Sequence, residues 1–226
     1  MGYLPLFMDV TGQPCVVIGG DELAASRVRA LLDSGAVVTV IAATLAPSLD
    51  EMARAGHITH RARTFIPGDL RGFSLAFCTA FTHEEATIVA AEARTLEVPI
   101  NVTDRPQLCT FIMPAIVKRG DLQIAISTGG ASPALAKILR SELEQIVGPE
   151  YEPLVAILRA IRGHLGAKGQ GADERARFAR ELALDLREAL QRHDNDAATR
   201  ILSAYLGLEM SDVVFPSVGR SSLRDA

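Results

Sequence analysis

The sequence predicts an α/β fold: a parallel sheet flanked by helices, then a small mixed segment and a helical end. Three observations carry this. Short apolar runs alternate with segments of helical period over the first half of the chain, the pattern of βαβ units. Hydrophobic residues make up 48% of the 226 residues but aromatics only 5%, with no Trp, so the apolar content is aliphatic, as in strands buried on both faces. The alternation stops near Met113, beyond which helix-period patterns dominate.

In chain order, Cys15-Val16-Val17-Ile18 is a short apolar strand that ends in Gly19-Gly20. Leu23, Ala24, Val28, Leu31 and Leu32 recur at helical spacing, and Gly35 stands where a C-terminal cap belongs. Val37 to Ile41 is a second buried strand, residues 46–55 a short helix and residues 57–64 a weaker strand. Ser74-Leu75-Ala76-Phe77-Cys78 is another apolar strand. Thr82-His83-Glu84-Glu85 has the form of a capping box and starts a helix that runs to about Leu96. Pro99 to Thr103 is the next strand, ending at Asp104.

Past Met113, residues 112–117 are apolar, Arg119-Gly120-Asp121 makes a turn, and Leu122 to Ile126 is a strand. Ser127-Thr128-Gly129-Gly130-Ala131 is a loop. Ser132 caps a helix with Pro133 at its first position, and Gly148-Pro149 stops it. Leu154, Ile157, Leu158 and Ile161 form one helical face, residues 163–171 a glycine-rich connector, Phe178, Leu182, Leu186, Ala189 and Leu190 a second face, and residues 201–208 a last short helix. The expected organisation is a nucleotide-binding domain over 1–113, a dimerisation segment over 114–148, a helical domain over 149–210 and a mobile tail over 211–226.

Composition narrows the function classes. The formal charge is −4, with no clustered basic face, which argues against duplex nucleic acid, and the few aromatics argue against stacking on single strands. No apolar run reaches the roughly 18 residues of a membrane span. The N-terminus lacks a basic region before an apolar stretch, so no signal peptide is expected. Cys15, Cys78 and Cys109 are far apart and odd in number, and read as reduced thiols of a cytoplasmic protein.

Several motifs point to chemistry, each with a plainer alternative. Gly19-Gly20 closes a strand and opens a helix, where a dinucleotide phosphate loop sits, with Ala24 as the small residue where helix and strand pack. The full G-x-G-x-x-G is missing, and Asp21 and Glu22 are unexpected beside a pyrophosphate. A tight turn without a cofactor is an equal reading. Residues 39–44 carry neither Asp, Glu nor Arg, so no side chain selects NAD over NADP, although the backbone of Ala43 and Thr44 can still bond a ribose. Asp104 lies at the carboxyl end of a strand, where ligands of open α/β sheets bind, and suits a general base. On its own, Asp104-Arg105-Pro106 reads better as a turn. The Ser127–Ala131 loop offers backbone N–H groups and hydroxyls at a helix start, a set suited to phosphate or carboxylate. His57 and His60 sit three apart on opposite faces of a strand, and no Cys/His cluster has zinc-ligand spacing. The arginines at 175, 177, 180, 187 and 192 alternate with acids, as on a solvated helix face.

One stretch is longer and more specific. Phe111-Ile112-Met113-Pro114-Ala115, then Arg119-Gly120-Asp121-Leu122, then Ile124 through Ala136 closely resemble the precorrin-2 dehydrogenase family, also called sirohydrochlorin synthases. Some members are bifunctional dehydrogenase–ferrochelatases, and some form the N-terminal half of sirohaem synthase. Leu4-Pro5-Leu6-Phe7, Val17-Ile18-Gly19-Gly20 and Asn101-Val102-Thr103-Asp104 fit the same family in order and spacing, so the resemblance covers roughly residues 3–165. The chain departs at Asp21, where a third Gly is usual, and at Ser26, where a basic residue is usual.

The resemblance implies a Rossmann-like domain, an intertwined homodimer joined beyond Met113, and NAD-dependent oxidation of precorrin-2 to sirohydrochlorin. It implies a cofactor set of Gly19, Gly20, Glu22, Leu23, Ala43, Thr44 and Thr79, with Asp104 as the catalytic residue. The substrate set is Arg105, Ser127, Thr128, Gly129, Gly130 and Lys137, to which Lys118 adds a further cation for the carboxylates of the tetrapyrrole. Fe²⁺ insertion into sirohydrochlorin is a second expected activity in which iron is a substrate, with no resident metal. Full sirohaem synthases add a methyltransferase domain for which this length leaves no space, so a separate enzyme is expected to supply precorrin-2. The competing readings are a non-catalytic NAD(H)-binding regulator and a dehydrogenase for another polycarboxylate.

Overall fold

The computed structural model describes residues 2–79, 82–167 and 172–206. The chain divides into two units, Met1–Met113 and Pro114–Ala226.

The first unit is built on five parallel strands, β1 (Pro14–Ile18), β2 (Val37–Ile41), β3 (Thr59–Arg61), β4 (Leu75–Cys78) and β5 (Ile100–Val102), in the order β3-β2-β1-β4-β5. Three helices connect them: α1 (Glu22–Asp33), α2 (Pro47–Arg54) and α3 (His83–Thr95). Successive strand side chains point to opposite faces, and both faces are covered. Cys15, Val17, Val38, Val40 and Phe77 pack on one face with Val28 and Leu31 of α1 and Leu49 of α2. Val16, Ile18, Ile41, Ala76, Cys78 and Ile100 pack on the other with Ala86, Val89, Ala90 and Ala93 of α3. Each fully buried aliphatic side chain contributes about 1.5–3 kcal/mol, which is why these strands read as unbroken apolar runs.

Local chemistry sets the helix limits. Asp21 caps α1, and at its far end Gly35 takes the left-handed conformation, φ +77°, while its N–H donates to Leu32. Around α3 the capping box forms: the Glu85 N–H donates to Thr82 Oγ1 (3.3 Å), and the Thr82 N–H donates to Glu85 Oε2 (3.1 Å). β3 is shorter than the expected 57–64. His57 and Gly56 donate their N–H groups back to Met52 and Ala53 to close α2, and Arg63 turns away to Asp69.

In the second unit β6 (Ala115–Arg119) and β7 (Leu122–Ile126) form an antiparallel hairpin about Gly120, φ +56°. Four helices follow: α4 (Pro133–Ile146), α5 (Tyr151–Ala167), α6 (Ala172–Gln191) and α7 (Asn195–Leu206). Ser132 caps α4, its Oγ accepting from the Leu135 N–H at 3.2 Å. Leu154, Ile157, Ile161, Leu182, Leu186, Ala198 and Leu202 form the core of the last three helices. The first residues of the connector expected from 163 are helical instead, because α5 continues through Gly163 and Gly166 to Ala167. An interior Gly costs a helix only about 1 kcal/mol, which the buried face of α5 offsets. Residues 168–171 and the expected tail over 211–226 lie outside the described residues. Among the described residues no helix is long and apolar enough to cross a membrane.

Candidate active site

The chain crosses from β3, at one edge of the sheet, to β4 on the far side of β1, so the strand order reverses between β1 and β4. Ligands of open α/β sheets bind outside the carboxyl ends of the strands at such a reversal. The strand ends there are joined one residue past the ladders. The Gly19 N–H donates to Ile41 O (3.0 Å), the Thr79 N–H to Ile18 O (2.9 Å) and the Thr103 N–H to Cys78 O (3.0 Å). Gly19–Leu23, Ala42–Thr44, Thr79 and Thr103–Arg105 therefore share one edge of the first unit.

The two glycines differ in purpose. Gly19 adopts φ +130°, a conformation side chains disfavour. Gly20 is required by its neighbours: a Cβ there would stand 2.0 Å from Thr44 O and 2.9 Å from Ala42 Cβ. The Ala46 N–H donates to Gly20 O at 2.6 Å and closes the same contact. Gly20 thus brings the loop after β2 against the loop after β1.

Asp21 extends its carboxylate over the first turn of α1. Its Oδ1 accepts from the Ala24 N–H (2.8 Å) and from Thr79 Oγ1 (3.0 Å). The Glu22 and Leu23 N–H groups have no acceptor among the described residues. Glu22 is exposed and accepts from Ser48 Oγ (3.2 Å), and the Leu23 side chain is 36% exposed. Ala43 and Thr44 are exposed at the end of β2, while His60 Nε2 bonds the Ala42 carbonyl at 2.9 Å. Open N–H groups at a helix start, a glycine turn and an exposed backbone at the β2 end fit a dinucleotide; the carboxylates of Asp21 and Glu22 do not.

Asp104 follows β5 in a turn closed by the Arg105 N–H on Val102 O (3.3 Å). It adopts φ +57°, uncommon for a residue with a side chain, although Asp tolerates it better than most. Its carboxylate is exposed and has no hydrogen-bond partner among the described residues. The turn reading of Asp104-Arg105-Pro106 is thus right for the backbone, with the carboxylate left over. Beside it, Thr103 Oγ1 is buried without a partner. The Cys109 thiol braces the segment from within, accepting from the Val102 N–H (3.1 Å) and donating to Val102 O (3.2 Å). Burial pushes the Cys109 thiol up from its ordinary pKa, and Cys78 up to about 12.

In the second unit, Gly129 (φ +63°) and Gly130 (φ +89°) make a left-handed turn with open space where side chains would stand. Much of the loop's donor set is already used. The Gly129 N–H donates to Ser127 Oγ, the Ala131 N–H to Thr128 O, and the Ser132 N–H to Thr128 Oγ1. The Gly130 N–H keeps no acceptor among the described residues, so the anion-binding capacity of the loop is smaller than its sequence suggests. Lys118 and Lys137 are exposed.

Sequence reasoning missed three features. Asp immediately before a helix is a capping signal that could have identified Asp21 as the cap of α1, but its Thr79 partner lies 58 residues away. Arg27 lies with its guanidinium 5.8 Å from the Phe77 ring centroid, and its buried Nε is unpartnered. Desolvation pulls the Arg27 pKa down. Asp69 is buried and takes two bonds from Arg63 (2.5 and 2.6 Å) and one from Arg61 (3.3 Å). No sequence signal marks either.

Comparison with known proteins gives a consistent picture. The family model described as "Putative NAD(P)-binding" matches residues 6–115, and that described as "Sirohaem biosynthesis protein central" matches residues 119–146. The siroheme synthase of Methylobacillus flagellatus is 40% identical over 162 residues, 72% of this chain and 35% of that protein. Siroheme synthase 3 of Aeromonas hydrophila is 36% identical over 203 residues, 89% of this chain and 43% of that protein. The chain therefore spans 35–43% of the length of these curated relatives. A solved structure described as SirC, precorrin-2 dehydrogenase, superposes with a TM-score of 0.66 at 20% identity, covering 86% of this chain and all of that one, and establishes the shared fold.

Proposed function

The chain belongs to the sirohaem biosynthesis family whose NAD(P)-binding domain and central segment it carries in that order, and from this membership we propose that it catalyses NAD-dependent oxidation of precorrin-2 to sirohydrochlorin. The observation that carries the proposal is Asp104: a carboxylate with no partner among the described residues, held out by a left-handed turn at the sheet edge where a dinucleotide fits.

Precorrin-2 is a reduced tetrapyrrole with acid groups around its rim. Its oxidation removes one hydride and one proton from the macrocycle. Bound NAD supplies the hydride acceptor. The backbone N–H groups of Glu22 and Leu23 hold the phosphates, and Ala43 and Thr44 take the ribose end through their main chain. Asp104 accepts the proton as general base. For the substrate carboxylates charge-assisted bonds are the strongest available; the first unit offers Arg105 for them, and the second, taken by itself, offers Lys118, Lys137 and the Ser127–Gly130 loop. Fe²⁺, where it is inserted, is a substrate of the same carboxylate. A homodimer completes the reading. It is supported by the exposed apolar side chains of the second unit: Ile116, Leu135, Ile138 and Ile146, the last 70% exposed.

Asp104→Asn tests the mechanism. Under anaerobic conditions with precorrin-2 and NAD⁺, the variant is expected to form sirohydrochlorin about 10²–10⁴-fold more slowly, the usual contribution of a general base, with nucleotide affinity unchanged. An undiminished rate would remove Asp104 from the chemistry.

A further inference from the structure

We propose that Asp21 sets the nucleotide affinity of this site: its carboxylate is a resident anion, latched over the start of α1, that a dinucleotide pyrophosphate must displace. The inference rests on the dinucleotide reading above.

The geometry is specific. A single oxygen, Oδ1, accepts from both the Ala24 N–H at 2.8 Å and Thr79 Oγ1 at 3.0 Å. The first bond belongs to α1, whose N-terminus attracts anions; the second comes from the strand end across the reversal of strand order. Thr79 is 5% exposed, so water offers its hydroxyl little alternative to Asp21. The carboxylate thus satisfies in advance one of the donors a phosphate oxygen would use, and spans the gap between the loop after β1 and the end of β4. Glu22, next in sequence, adds a second negative charge, and its partner Ser48 is neutral. Among the described residues no cation forms a hydrogen bond or salt bridge with Asp21 or Glu22. A pyrophosphate arriving here meets two carboxylates where a helix start ordinarily offers only N–H groups.

For a phosphate oxygen to take the Ala24 N–H and the Thr79 hydroxyl, the Asp21 side chain has to leave both and rotate outward, and its charge still repels the phosphates from there. Even with the full screening of bulk water, like charges about 4 Å apart change affinity roughly fivefold. Removing the charge is therefore expected to tighten binding by about tenfold. Salt is expected to narrow the difference, because screening weakens the repulsion.

Asp21→Asn keeps an oxygen that accepts from Ala24 and Thr79 and removes the charge, so it retains the cap. Asp21→Gly removes both. Dissociation constants of NAD⁺ and NADH for the full chain are measured by calorimetry and NADH fluorescence at low and high salt, with thermal melting as the check on folding. Tighter binding by Asp21→Asn, with a gap that narrows in salt, is the expected result. Binding by the variants where the wild type shows none supports the inference equally. Equal or weaker binding by Asp21→Asn overturns it and leaves the dinucleotide reading standing. No binding by any of the three proteins overturns both.

Discussion

At Gly20 a Cβ would meet the Thr44 carbonyl oxygen at 2.0 Å, so Gly20→Ala has to push the loop after β2 away from the loop after β1. Overpacking against backbone costs about 1–3 kcal/mol, and the displaced segment carries Ala43 and Thr44. The variant is expected to melt at lower temperature and to bind NADH more weakly; an unchanged melting temperature would contradict the contact. The glycine pair was legible as a tight turn or a phosphate loop, but the physical reason for Gly20 was not: it answers to a carbonyl 24 positions on, which no local pattern reports. Asp104 was legible in position and ambiguous in role, since a turn residue and a base occupy the same place in sequence. The structure shows the turn, at φ +57°, and leaves the carboxylate without a partner among the described residues; the rate of Asp104→Asn decides whether it is also a base.

Among the elements, helix boundaries followed their caps closely, because caps are local chemistry. The Thr82–Glu85 box and the Ser132-Pro133 start are both read within four residues. β3 was legible as part of residues 57–64, but its early end and the loop after it were not, because they are held by tertiary ion pairing. Arg61 and Arg63 converge on Asp69, whose Oδ2 also accepts from the Ile66 N–H at 3.0 Å. The Arg63 guanidinium holds the Asp69 carboxyl below its ordinary pKa. A folded-state pKa below the unfolded one gives stability that is fully present above the unfolded value of about 4 and lost as pH falls through the folded value. Asp69→Asn is expected to cost about 1–2 kcal/mol near neutral pH, at the low end for charged hydrogen bonds because both arginines are partly exposed. That deficit is expected to shrink below about pH 4. A deficit constant down to pH 2 in chemical denaturation would contradict the assignment.

For the whole molecule, the α/β class and the change of pattern near Met113 were legible from aliphatic runs and periodicity alone. The boundary between the two units falls after Met113. Assembly was not legible from periodicity, which marks apolar faces without saying what covers them. If Ile138, 56% exposed on α4, lies in a dimer contact, Ile138→Lys is expected to shift sedimentation equilibrium toward monomer. A wild type that sediments as monomer at all concentrations would remove the homodimer.

The proposed transfer of a hydride from precorrin-2 to a nicotinamide is tested most directly by the yield of NADH against precorrin-2 consumed, without oxygen, followed by absorbance with the wild-type protein. Equal amounts of NADH and sirohydrochlorin are expected, formed only when protein, NAD⁺ and precorrin-2 are all present. Nucleotide binding without NADH formation, or sirohydrochlorin appearing without NAD⁺, would contradict it.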